Sequence, residues 1–190
     1  MDVTDLKGLF GEVRKRMEAQ LDHVRRELGG VRTGRASVTM LDTVHVEAYG
    51  SMMPLNQVAS LSIPEPTLLL ASPFDPGLMG AIEKAIRGSS LGLNPTNDGK
   101  VVRIPIPSLT EERRKELSRI VHKHAEEGRN AVRQVRRDAN DKLKKMLKDH
   151  GISEDDERRG LEEVQKLTDQ HVLHIDDQQK RKDAELLNKA

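Results

Sequence analysis

Residues 109–151 read LTEERRKELSRIVHKHAEEGRNAVRQVRRDANDKLKKMLKDHG, and this stretch decides the fold. Thr110 is placed to cap a helix, Glu111 and Glu112 suit its first turn, and Gly151 marks its stop. Between them Leu117, Val121, Ala125, Val132, Val135, Ala139, Leu143 and Met146 keep one apolar stripe at helical steps. At about 1.5 Å per residue such a helix runs roughly 60 Å, more than a compact domain needs. Its apolar stripe calls for partner helices.

Those partners lie on either side. All eight prolines fall between residues 54 and 107, so residues 1–53 and 108–190 are free of them, as long helices require. Leu6, Phe10, Val13, Met17, Leu21, Val24, Leu28 and Val31 form a coiled-coil-like seam that predicts a first helix stopping near Gly29-Gly30. Ser153, with Asp156 three positions on, predicts the start of a third helix through a relative of the capping box. Its stripe is Leu161, Val164, Thr168, Val172, Ile175, Gln179, Lys182 and Leu186.

The proline-bearing middle follows a different pattern. Val44, Val46 and Ala48 alternate with His45 and Glu47, and Tyr49-Gly50-Ser51 predicts a turn. Leu55, Val58, Leu61 and Ile63 lead to a buried strand over 67–71, a short helix over 76–88, and a strand after the Asn97-Asp98-Gly99 turn. The expected fold is α+β: a three-helix bundle of residues 1–35 and 108–190, with a small β/α/β domain, 36–107, inserted. Two connections cross between them, at Gly34, Arg35, Ala36 and Ser37, and at Ile104, Pro105, Ile106 and Pro107; both are read as a hinge. Replacing Gly34 by Pro is expected to stiffen that hinge without unfolding the chain.

Composition narrows the function. The 190 residues include no Cys, which removes disulfides, thiolate metal sites and cysteine nucleophiles. His122 and His124 point to different helix faces, and His171 and His174 lack the further ligands a metal needs, so no metal is expected. Gly99-Lys100-Val101 fails as a P-loop, because Asn94 stands where the first Gly belongs and Val101 where Ser or Thr belongs. Neither a nucleophile elbow nor a dinucleotide fingerprint occurs. The acidic run Glu154–Glu157 suits a helix N-terminus. No enzyme and no cofactor are expected. With no apolar run near membrane length and no leader-like N-terminus, a soluble, cytoplasmic protein is expected, without membrane contact.

Charge points to a partner. The net charge is +1, yet residues 108–151 carry a surplus of five positive charges while residues 152–190 are acidic. Arg129, Arg133, Arg136 and Arg137 share one broad helix face, extended by Lys144, Lys145 and Lys148. Arginine forks suit phosphate better than generic solubility requires. Aromatics are only 2% of the chain, which argues against base stacking. Contact with phosphates of folded RNA, strongly salt-dependent, is the expectation. Duplex DNA is not, since no recognition-helix motif appears. Arg32 and Arg35 flank Gly34 at the junction and are a second candidate pair. The alternative is a coiled-coil scaffold or adaptor with protein partners only, binding through the acidic third helix.

Six segments, taken together, resemble bacterial ribosome recycling factors. They are Val31-Arg32-Thr33-Gly34-Arg35-Ala36-Ser37, Leu91-Gly92-Leu93-Asn94-Pro95, LTEERRKEL at 109–117, VRRDAND at 135–141, ISEDDE at 152–157 and VQKLTD at 164–169. The resemblance implies an L-shaped monomer with a two-strand hinge. It implies binding to the post-termination 70S ribosome, against large-subunit ribosomal RNA. Elongation factor G, using GTP, then acts so that the subunits separate and mRNA is released. It places ribosomal RNA contacts at Arg133, Arg136 and Arg137, with Arg129 as an extension and Arg32 and Arg35 beside the hinge.

Overall fold

The computed structural model describes residues 4–187. The chain divides into two compact units, one made of the stretch up to Arg32 with Glu112–Leu187, the other of Thr33–Glu111.

The first unit is built from α1 (Leu6–Gly30), α4 (Glu111–Lys148) and α5 (Glu154–Leu187). Asp5 caps α1 by accepting from Gly8 N at 2.9 Å. Gly29 and Gly30 close it, and Val31 N returns to Leu28 O. The start of α5 is a reciprocal box. Asp156 N donates to Ser153 Oγ at 3.1 Å, while Ser153 N and Oγ donate to Asp156 Oδ2 at 3.3 and 2.8 Å.

Every apolar position predicted on α4 is buried. On the other two helices the buried face is displaced. Leu9 is buried where Phe10 stays at the margin, and Leu167 and His171 lie inside while Leu161 and Val172 are half-exposed. A helix wedged against two neighbours buries a broader arc than a coiled-coil seam, and that arc takes in positions between the seam residues. His171 is accommodated there by a 2.6 Å contact of Nδ1 with Leu167 O. Two glycines set the helix spacing: Gly128 of α4 faces Val24 and Ile175, and Gly160 of α5 faces Leu143.

The second unit is richer than the expected β/α/β. Strands β1 (His45–Ala48) and β2 (Ser51–Pro54) form a hairpin. Tyr49 and Gly50 at its tip have φ of 53° and 79°, the left-handed pair a two-residue turn requires. A single turn, α2 (Leu55–Val58), leads into β3 (Ala59–Glu65) and β4 (Leu68–Pro73). Helix α3 (Met79–Arg87) follows, then β5 (Thr96–Asn97) and β6 (Val102–Pro105). The second sheet is antiparallel throughout, in the order β3-β4-β6-β5. Leu55, Leu69, Ile82, Ile86, Val102 and Ile104 are among the residues filling the core. Asp98 Oδ1 accepts from Lys100 N and Val101 N, so the Gly99-Lys100 turn is held by its own Asp.

The junction differs from the expectation in detail. Ile104 and Pro105 belong to β6, and Ile104 and Ile106 sit in the core, so these positions are sheet and core rather than free connection. Ala36 N donates to Pro66 O and Ile106 N to Thr67 O, both at 2.7 Å, which ties both crossing segments to the β3–β4 turn. Gly34 adopts φ +74°, and a Cβ there would stand 3.0 Å from Leu109 Cγ. Proline, held near −65°, cannot take that conformation, so Gly34→Pro would disturb the fold, contrary to the expectation above. The second unit extends from Thr33 to Glu111, a few residues beyond the expected limits of 36 and 107.

Candidate nucleic-acid interface

The four arginines of α4 do not share one fate. Arg129 is 8% exposed. Its Nε donates to Glu126 Oε2 at 2.8 Å, and its Nη1 donates to Asp176 Oδ1 at 2.6 Å and to Gln179 Oε1 at 3.1 Å. It clasps α4 to α5 and turns away from solvent, which removes it from the expected contact face. The reason is local geometry: Arg129 neighbours Gly128, whose missing side chain draws the helices close, and α5 presents an acid opposite. Glu126 is held below the usual carboxylate range, first by its hydrogen bond from Arg129. Gln179 Nε2 lies 3.3 Å from His122 Nδ1, which extends the same cluster.

The remaining three reach solvent. Arg133 Nη1 donates to Asn130 Oδ1 at 3.2 Å and, more loosely, to Glu126 Oε1 at 3.4 Å. Arg136 Nη1 donates across to Gln165 Oε1 of α5 at 3.2 Å. Arg137 Nε donates to Gln134 Oε1 at 3.1 Å. Lys144, Lys145 and Lys148 are exposed beyond them. The result is a cationic surface on α4, one helical turn after another, with most guanidinium N–H groups uncommitted. Such a surface offers charge-assisted hydrogen bonds of the kind that phosphates accept. Asn130, Gln134 and Gln165, which hold these arginines, escaped the sequence reading. The i, i+4 spacing of Gln134 with Asp138 and of Gln165 with Asp169 was the available signal.

Arg32 is exposed at the end of the first unit. Arg35 is half-buried in the second, and its Nε is enclosed without a hydrogen-bond partner. Among the described residues no group of three or more His, Asp or Glu is placed to hold a metal ion. His171 and His174 meet only edge to face, at 6.3 Å between ring centroids. No helix among these residues is long and apolar enough to cross a membrane.

Comparison with known proteins agrees from three directions. The sequence profile of the family described as ribosome recycling factor matches residues 24–187. The ribosome-recycling factor of Methylocella silvestris is 51% identical over 178 residues, covering 94% of this chain and 96% of its own. That of Rubrobacter xylanophilus is 51% identical over 186 residues, covering 98% of each. A ribosome recycling factor solved in solution superposes with a TM-score of 0.73 at 41% identity, over 96% of this chain and 97% of its own. The T. thermophilus factor, in models with E. coli elongation factor G bound to the E. coli post-termination complex, gives a TM-score of 0.63 at 46% identity, over 96% of this chain and 99% of that one. With about half of its residues identical to those of the Methylocella silvestris and Rubrobacter xylanophilus proteins over nearly the full length, and with the family profile matching residues 24–187, this chain belongs to the ribosome recycling factor family, whose members are translation factors rather than enzymes.

Proposed function

We propose that this chain binds the post-termination ribosome through α4 and, with elongation factor G and GTP, separates the subunits so that they are released from mRNA and reused. The observation that carries the reading is the relative seated with elongation factor G on the post-termination complex, 46% identical over 96% of this chain. Arg133, Arg136 and Arg137, with Lys144, Lys145 and Lys148, contact ribosomal RNA phosphates. The GTP belongs to the partner, and the chain itself uses no cofactor. It acts in the cytoplasm, where its ribosome is.

The mechanism is mechanical. Helix α4, 38 residues long, extends roughly 57 Å at about 1.5 Å per residue and gives the RNA-anchored unit the stiffness of a lever. The second unit, attached through two connections, is what the motor factor pushes. Flexing occurs in the two connections, at Thr33-Gly34-Arg35-Ala36-Ser37 and at Pro107-Ser108-Leu109-Thr110, the non-helical stretches between α1 and the second unit and between β6 and α4. Light scattering of post-termination ribosomes tests this. Splitting is expected with the chain, elongation factor G and GTP together, and with none of them alone. Splitting without this chain, or none with the complete set from a matched organism, would refute it.

A further inference from the structure

Several surface arginines meet carboxylates directly. Arg16 lies 2.7 Å from Glu12, Arg25 3.0 Å from Asp22, Arg87 2.6 Å from Glu83 and Arg158 2.8 Å from Asp155. At two positions on the solvent face of α4, Arg136 and Arg137, the pattern changes, whereas Arg113 still pairs with Glu116 at 2.7 Å and Arg133 lies 3.4 Å from Glu126. Arg136 donates to the Gln165 amide oxygen, and Gln165 Nε2 in turn donates to Asp169 Oδ1 at 2.7 Å. Arg137 donates to the Gln134 amide oxygen, and Gln134 Nε2 donates to Asp138 Oδ1 at 2.8 Å. The same relay, arginine to amide to aspartate, is therefore built twice, once between helices and once within α4.

We propose that Gln165 and Gln134 are positioning residues that aim Arg136 and Arg137 at phosphate without neutralising them. The inference rests on the RNA-binding reading of α4 and adds residues to it. An amide oxygen accepts a hydrogen bond but carries no net charge, so the guanidinium is oriented and keeps its full positive charge. The aspartate behind pins the amide NH2, which fixes the oxygen towards the arginine. Each arginine spends one donor on this contact, Nη1 for Arg136 and Nε for Arg137, which leaves its other N–H groups for a phosphate fork. A direct carboxylate would have to be displaced, or would repel the incoming phosphate. Orientation before contact reduces the side-chain freedom lost on binding.

The test measures affinity for vacant 70S ribosomes across a salt series, after thermal unfolding has shown each variant folded. Arg136→Ala is expected to weaken binding about tenfold and to make the log–log salt slope shallower by about 0.7–0.9, the loss of one phosphate contact. Gln165→Glu should reproduce both changes, because the new carboxylate pairs with Arg136. Gln165→Met, of similar size and unchanged charge, should weaken binding about threefold through lost orientation, and should add nothing in the Arg136→Ala background. Gln134→Glu should act likewise through Arg137. Wild-type affinity for Gln165→Glu and Gln165→Met beside a weakened Arg136→Ala would overturn the relay and leave the RNA-binding face standing. Wild-type affinity for Arg136→Ala would overturn both. Equal weakening by Gln165→Met with and without Arg136 would assign the amide another role and reject the proposal.

Discussion

Gly128 offers a severe test of the helix packing. An alanine in an exposed helix interior is ordinarily about 1 kcal/mol better than glycine. At Gly128 a Cβ would overlap Val24 Cγ2 of α1 and lie 3.4 Å from Ile175 Cδ1 of α5. Carbon pairs rest at about 3.5–4.0 Å, so the first contact is repulsive and the second is tight. Val24 is β-branched and stiff at χ1, so its methyl cannot swing aside. The cost belongs at the upper end of the about 1–3 kcal/mol typical of overpacking, and about 2 kcal/mol of net destabilisation remains after the propensity gain. Urea unfolding followed by far-UV circular dichroism measures it. Gly11→Ala, on the exposed face of α1 with nothing within 4 Å, should instead stabilise by about 1 kcal/mol. Gly160→Ala should fall between them, because its 2.7 Å neighbour is a flexible leucine tip, Leu143 Cδ2. Adding Val24→Ala should recover at least about 1 kcal/mol of the Gly128→Ala loss beyond additivity. A Gly128→Ala protein as stable as wild type, with no coupling to Val24, would refute the close approach of α1 to α4.

Arg129→Met should destabilise the first unit by about 2–3 kcal/mol, less than the 3–5 of a fully buried pair because Glu126 and Asp176 remain 44% and 39% exposed. At a temperature where it is folded, its ribosome affinity should equal wild type, and selective loss of affinity would return Arg129 to the contact face. Gly34→Ala should cost about 1–2 kcal/mol through its left-handed φ and the approach of Leu109; unchanged urea midpoints would dismiss that strain. Asp156 is held below its ordinary value of 3.8 by its hydrogen bonds from Ser153, side chain first. The folded state therefore favours the carboxylate, and its stabilisation is complete above that value and lost as pH falls through the lowered one. Asp156→Asn should flatten that part of the acid unfolding curve, and an unaltered acid limb would show that the box does not titrate with folding.

Much of the architecture was readable because it is locally encoded. The stop of α1, the start of α5 and the absence of proline from the helices depend on residues within a turn of each other. The junction was only half readable. Pro105 and Pro107 suggested a crossing segment, but β6 pairs with β4 up to Pro105, and that pairing depends on Leu68–Ala71, more than thirty residues away. The second unit's hairpin, with Tyr49 in a left-handed conformation, was visible as a turn but not as a separate sheet.

For the candidate site, the sequence alone determined that positive charge gathers on one helix, since spacing of three and four places residues on a common side whatever surrounds them. It could not separate Arg129 from Arg133, Arg136 and Arg137. An arginine side chain spans enough distance to turn inward or outward, and the choice follows from what the facing helix presents. Asp176 and Gln179 drew Arg129 inside, while Gln165 met Arg136 at the surface. Those partners lie 47, 50 and 29 residues away along the chain, so only the packing of α4 on α5 brings them into reach.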